Sequence, residues 1–131
     1  MFYRVDTNLT KKQSDKIVES LTPIELERLD SYKIKAYDIE IDGKLSSFVI
    51  TSRSIFTRLI IFLRQKEIEF DYKEITDDVL IGDIQFKGTL FENDVDDFIR
   101  ENLTVDHILD KINKFGIDSL TEYDKRFLES H

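Results

Sequence analysis

Asp42-Gly43 stands between two segments whose residues alternate in polarity, and few local patterns restrict a chain's fold more tightly. Both central residues of a type I′ turn need positive φ, which aspartate tolerates and glycine adopts without strain. Before the turn, Tyr37, Ile39 and Ile41 alternate with Asp38, Glu40 and Asp42; after it, Leu45 to Thr51 can return as the paired strand. This predicts a β-hairpin in the first half of the chain.

The flanking segments read as helices and further strands. Phe2 to Val5 is an apolar strand candidate. Thr10 and Gln13 have capping-box spacing ahead of a helix with the stripe Ile17, Val18 and Leu21. Thr22, Pro23 and Glu25 start a second, short helix through about Leu29. After the hairpin, Ser52 or Ser54 caps a helix whose apolar residues Ile55, Phe56, Leu59, Ile60, Phe62 and Leu63 form a wide face, and Ile68, Phe70 and Tyr72 alternate as a strand. Strand, helix, strand, strand, helix, strand is the ferredoxin-like, split βαβ order. An α+β fold is therefore expected: an antiparallel sheet with helices on one face, plus a C-terminal helical hairpin. The extra helix after Thr22 departs from that plan. Ile84 to Leu90 is expected as an edge strand, and Asn93 or Asp94 as the cap of an acidic helix carrying Val95, Phe98, Ile99 and Leu103.

Residues 105–131 carry the strongest end signals. Thr104 caps a helix with Val105, Ile108, Leu109, Ile112 and Phe115 at helical spacing, and Gly116 is expected to close it in the left-handed conformation. Thr121, with Asp124 three residues on, caps a last helix bearing Tyr123, Phe127 and Leu128. The run Val105-Asp106-His107-Ile108-Leu109-Asp110-Lys111-Ile112, then Gly116-Ile117-Asp118-Ser119-Leu120-Thr121, then Arg126-Phe127-Leu128, resembles a short segment appended to the C-terminus of some bacterial rhomboid-family membrane proteins. The resemblance stops at Val105, implies a portable cytoplasmic docking module, and transfers no proteolysis. That chemistry sits inside transmembrane helices, whereas the longest apolar run here, Leu59 to Leu63, is far short of the roughly 20 residues a bilayer needs.

Composition narrows the class further. With 131 residues, 40% of them apolar, and only 4 Gly and 1 Pro, a single folded domain is expected: a split βαβ body over 1–76, a connecting strand and acidic helix over 77–104, and the hairpin over 105–131. The absence of cysteine removes disulfides, thiolate metal sites and cysteine nucleophiles, and fits a reducing compartment. Met1 to Asp6 lacks a basic region followed by an apolar stretch, so no signal peptide is expected and a cytoplasmic location is. Charge is uneven: Met1–Lys66 holds 12 Lys+Arg against 9 Asp+Glu, the remainder 7 against 18.

No constellation for catalysis emerges, so no enzyme activity, catalytic residue, cofactor or metal site is expected. There is no Gly-x-Ser-x-Gly turn and no glycine-rich phosphate loop. The acidic groups Asp77, Asp78 and Asp83, and Glu92, Asp94, Asp96 and Asp97, lack the EF-hand loop pattern, and the second suits a helix start. His107 has no second ligand at helical spacing. Lys44-Leu45-Ser46-Ser47-Phe48-Val49 retains part of the RNA-reading motif of the RRM, with Ser46 where the first stacking ring belongs. An RRM-like RNA-binding module is thus an alternative, and an immunity-type inhibitor of a basic toxin another. The preferred expectation is a small non-enzymatic adaptor. It would dock a basic or mixed protein surface through Asp106, Asp110, Asp118, Glu122 and Asp124 with Ile108, Tyr123 and Phe127, without membrane insertion.

Overall fold

A computed structural model of the protein describes residues 1–131. The chain divides into two compact units, Met1–Ile75 and Thr76–His131.

The first unit runs β1 (Phe2–Thr7), α1 (Lys11–Ser20), α2 (Pro23–Ser31), β2 (Lys35–Ile41), β3 (Lys44–Ile50), α3 (Arg53–Gln65) and β4 (Phe70–Glu74). Its four strands form one antiparallel sheet in the order β2-β3-β1-β4. β3 lies between β1 and β2, which is the split βαβ, ferredoxin-like order, with two helices instead of one in the first crossover. The hairpin turns where alternation places it: Asp42 has φ 51° and Gly43 φ 77°, and Ile41 pairs with Lys44.

Register divides the side chains between the two sheet faces. Tyr3 pairs with Val49, and Val5 with Ser47 on one side and Tyr72 on the other, so these residues share a face. Tyr3, Val5 and Val49 there form a buried cluster with Phe56 and Ile60 of α3. The Phe56 ring lies flat on Tyr3, with centroids 3.7 Å apart, and meets Tyr72 edge-on at 5.3 Å. Burial, then the carboxylate of Glu74, pushes the Tyr3 phenol above its ordinary pKa of 10.0. The apolar face of α3 is wider than its buried stripe: Phe56 and Ile60 are buried, whereas Ile61 is 49% exposed.

Phe48 stands on the opposite face, paired with Arg4 and Tyr37. It is buried, but away from the α3 cluster, and the Arg4 guanidinium lies 5.7 Å over its ring. Ser46 on the same face is also buried and donates to Asp6 Oδ1 at 2.6 Å.

The two crossover helices bury no residue. Their starts are fixed by complete capping boxes, Thr10 with Gln13 and Thr22 with Glu25. Glu25 Oε1 accepts from the Thr22 amide at 3.0 Å, while Oε2 meets Lys66 Nζ at 2.6 Å. Lys66, then the Thr22 amide, holds the Glu25 carboxyl below its ordinary 4.5.

The second unit is helical: α4 (Thr76–Leu80), α5 (Glu92–Asn102), α6 (Val105–Phe115), a 3₁₀ turn (Ile117–Ser119) and α7 (Glu122–Ser130). No strand forms over Ile84 to Leu90, contrary to the alternation of Ile84, Phe86 and Leu90. Glycines 82 and 88 take positive φ, and Phe86 and Phe91, five residues apart, are both buried and meet edge-to-face at 5.6 Å. A strand cannot turn both rings to one side at that spacing. α5 also begins earlier than Asn93 or Asp94 would allow: its N-cap is Phe91, which supplies no side-chain cap, and Thr89 supports the turn before it, its Oγ1 accepting from the Phe91 amide and its carbonyl from that of Glu92. Gly116 does take positive φ, but its ψ of 164° is extended and not left-handed helical.

Gly43→Val should cost about 1 kcal/mol or more in chemical denaturation, because a β-branched side chain resists positive φ. No atom lies within 4 Å of the added Cβ, so the loss is conformational and an unchanged midpoint would refute the turn assignment. Glu25 supplies a pH dependence. Its folded pKa is depressed, so its contribution is present above the unfolded value and lost as pH falls through the folded one. Melting temperature between about pH 6 and pH 3 should therefore fall less steeply in Glu25→Gln than in the wild type.

Candidate functional site

The second unit gathers the residues named for docking, and it also holds the protein's entire net charge. Met1–Ile75 has 13 Lys+Arg and 13 Asp+Glu; Thr76–His131 has 6 against 14, which gives the −8 of the whole chain.

The docking residues separate into two groups. Asp106, Asp110, Asp118 and Glu122 are exposed, and Tyr123 is 37% exposed. Phe127 is half-buried, stacked on His131 with centroids 4.1 Å apart. Ile108 and Asp124 are not surface residues at all: Ile108 is completely buried and Asp124 is 5% exposed. Helical spacing explains Ile108, which occupies the innermost line of α6. Its neighbours Val105 and Leu109 are turned outward, with Leu109 49% exposed. Phe115 and Ile117 at the end of α6 are 45% and 68% exposed. Leu109, Phe115 and Ile117 are thus exposed apolar residues in a segment that also exposes Asp106, Asp110 and Asp118. None of these three is among the docking residues expected from the sequence, although helical spacing marks Leu109 and Phe115; Ile117 lies beyond the helix, in the turn after Gly116.

Asp124 is internal because it works at two scales. As the third residue of α7 it completes the Thr121 capping box, Oδ2 accepting from the Thr121 amide at 2.9 Å. The same oxygen accepts from Lys111 Nζ at 2.7 Å, and both side chains are largely buried. α6 and α7 are thereby fastened by a dry ion pair. His107 plays the corresponding part for α6: Nδ1 accepts from the Thr104 amide, which leaves Nε2–H to donate to Asp77 Oδ1 at 2.9 Å. Lys114 reaches Asp83 Oδ2 at 2.8 Å. Two members of the first acidic group thus tie α6 to α4 and its following loop, and Glu92 and Asp94 of the second occupy the first turn of α5. No group of three or more His, Cys, Asp or Glu is arranged to hold a metal ion.

An open cavity of about 310 Å³ lies within this unit. Val79, Leu80, Ile84, Phe86, Val95, Ile99 and Tyr123 supply its apolar wall, and the Lys111–Asp124 pair lies along it. Lys87 and Arg100, with Glu92 and Asp96, add charges of both signs.

Asp124→Ala leaves the Lys111 ammonium buried without its carboxylate and removes the side-chain half of the α7 capping box, and should destabilise by about 3 kcal/mol or more in denaturant titration. Replacing both partners by apolar residues, Lys111→Met with Asp124→Leu, removes the stranded charge and should recover a substantial part of that loss. A double variant no more stable than Asp124→Ala would overturn the role given to the pair.

Residues 100–131, 32 of the chain's 131, match the model of a family described as a family of unknown function (DUF6576). The match runs from the last turn of α5 through α7. No curated protein and no solved structure matches the chain.

Proposed function

We propose that this is a small non-enzymatic adaptor that works in the cytoplasm and docks a basic protein partner through its C-terminal helical unit. The observation that carries this reading is the concentration of the whole −8 charge in Thr76–His131, around exposed apolar residues of α6 and the turn after it. Apolar surface supplies affinity on burial, and the surrounding carboxylates steer a cationic partner and reject anionic ones. The docking set is Leu109, Phe115 and Ile117 with Asp106, Asp110 and Asp118, joined by Glu122, Tyr123 and Phe127 of α7. Recurrence of residues 100–131 as a family model supports a module that is carried by more than one protein. The likeness of residues 105–131 to a segment appended to bacterial rhomboid-family proteins supports the same reading. No helix is long and apolar enough to cross a membrane, which agrees with docking in water.

The RNA-binding alternative rests on Phe48 in the RRM-like position. A stacking platform needs an open ring, and Phe48 is 7% exposed with buried Ser46 and the carboxylate of Asp6 beside it. The inhibitor alternative shares the surface of the preferred reading and differs only in what the partner does.

Affinity capture from the native cell with the full chain, compared with Asp106→Lys/Asp110→Lys and with Leu109→Asp, tests the proposal. All three positions are exposed, so both variants should fold. The expected result is a basic protein held by the wild type, lost with either variant, and released at about 0.5 M salt, where the Debye length falls to a few ångströms. Capture of RNA would favour the alternative; a nuclease whose activity falls on capture would identify an inhibitor. Identical captures by wild type and variants would overturn the surface.

A further inference from the structure

We propose that the cavity of the C-terminal unit is a socket for Leu90 of a second copy of this chain. The inference stands apart from the docking surface on α6 and shares only Tyr123 with it.

Leu90 is fully exposed, at 101% of its reference area. It does not hang from a loose loop. Thr89 Oγ1 donates to the Phe86 carbonyl at 2.6 Å and accepts from the Phe91 amide at 3.2 Å, and Glu92 Oε2 accepts from the Gly88 amide at 3.3 Å. Phe86 and Phe91, buried on either side, anchor the turn. An apolar side chain held outward on an ordered turn loses little backbone freedom when it is buried, so most of its transfer free energy is available for association.

The cavity suits an apolar plug better than a polar ligand. Its volume of about 310 Å³ is at the lower end of small-molecule sites, and its wall is made by Ile84, Phe86, Val95, Ile99 and Tyr123. The buried charges along it, Lys111 and Asp124, already satisfy one another. A leucine side chain fits such a volume.

A second copy is favoured over an unrelated partner by two features. Lys87 and Glu92, which bracket Leu90 in sequence, also line the cavity, so plug and socket share a rim. Two copies related by a twofold axis can then exchange plugs in an arrangement that closes on itself. Charge points the same way. Two units of −8 repel over most of their surfaces, but here Lys87 and Arg100 balance Glu92 and Asp96, and each pair can face the other's opposite across the twofold. Reciprocal insertion of one side chain makes a small interface, below about 1,200 Å², so a transient dimer is expected.

Sedimentation equilibrium of the full chain from about 10 μM to about 1 mM tests this. The mass should climb from 15.5 kDa towards twice that value with rising concentration. Leu90→Asp, at a fully exposed position, should keep the circular dichroism of the wild type and raise the dimer dissociation constant at least tenfold. Ile99→Trp, which fills the socket, should do the same, and an equimolar mixture of the two variants should associate more than either alone, since it restores one plug in one intact socket. If Ile99→Trp does not fold, Leu90→Asp decides alone. The association should survive about 0.5 M salt, unlike the charge-steered docking on α6, so failure of one reading is distinguishable from failure of the other. A wild type that stays at 15.5 kDa throughout, or a Leu90→Asp protein that dimerises as well as the wild type, overturns the proposal.

Discussion

Helix starts impose the constraint around which this protein is organised. The first amides of every helix lack partners within it, and α1 and α2 bury no side chain that could compensate by packing. Four helices answer with the same device, a threonine whose side chain takes the third residue's amide while that residue's side chain takes the threonine's amide. The third residue differs each time, and its identity decides what else the helix start can reach. Gln13 only closes its box. Glu25, His107 and Asp124 each engage a further partner, Lys66, Asp77 and Lys111 respectively. An ionisable side chain at that position therefore converts a local cap into a tertiary fastening.

The same device has different energetic weight at its different depths. The Glu25–Lys66 pair is a quarter exposed, so solvent screens it and its loss is mild. Lys111 and Asp124 are nearly dry, where a stranded charge is costly and the pair acts more as a specification of how α6 meets α7 than as a source of stability. Ser20-Leu21-Thr22 with Glu25 and Ser119-Leu120-Thr121 with Asp124 thus spell the same local pattern, read out in two environments.

Local chemistry of this kind is what the sequence discloses well. Thr10, Thr22, Ser52, Thr104 and Thr121 announce their helices, Asp42-Gly43 its hairpin, and alternation the strands whose order follows from the split βαβ plan. Longer-range burial is less legible. Ile84, Phe86 and Leu90 alternate as a strand would, yet the positive φ of Gly82 and Gly88 and the paired rings of Phe86 and Phe91 curl the segment into a loop. The start of α5 carried no such signal, because its N-cap Phe91 has no side-chain cap, and the acidic run after it points one or two residues too far along. Within the candidate docking segment, periodicity identified an apolar set but could not say which member turns inward. Ile108 does, Leu109 does not, and Asp124 is drawn in by a lysine thirteen residues away that no local pattern predicts.

The bare crossover of α1 and α2 has a dynamic corollary. Helices with no fully buried residue are held by their caps, the screened Glu25–Lys66 pair and half-buried side chains, and the free energy needed to open them is a small part of that needed to unfold the α3 cluster. They lead into β2, an edge strand, whereas the central strands β1 and β3 carry the buried sheet residues. The first crossover can therefore melt and re-form as a sub-global unit while the central strands and α3 stay assembled. Amide hydrogens from Lys11 to Ser31 would then exchange with solvent through local openings, well before those of the strands they connect.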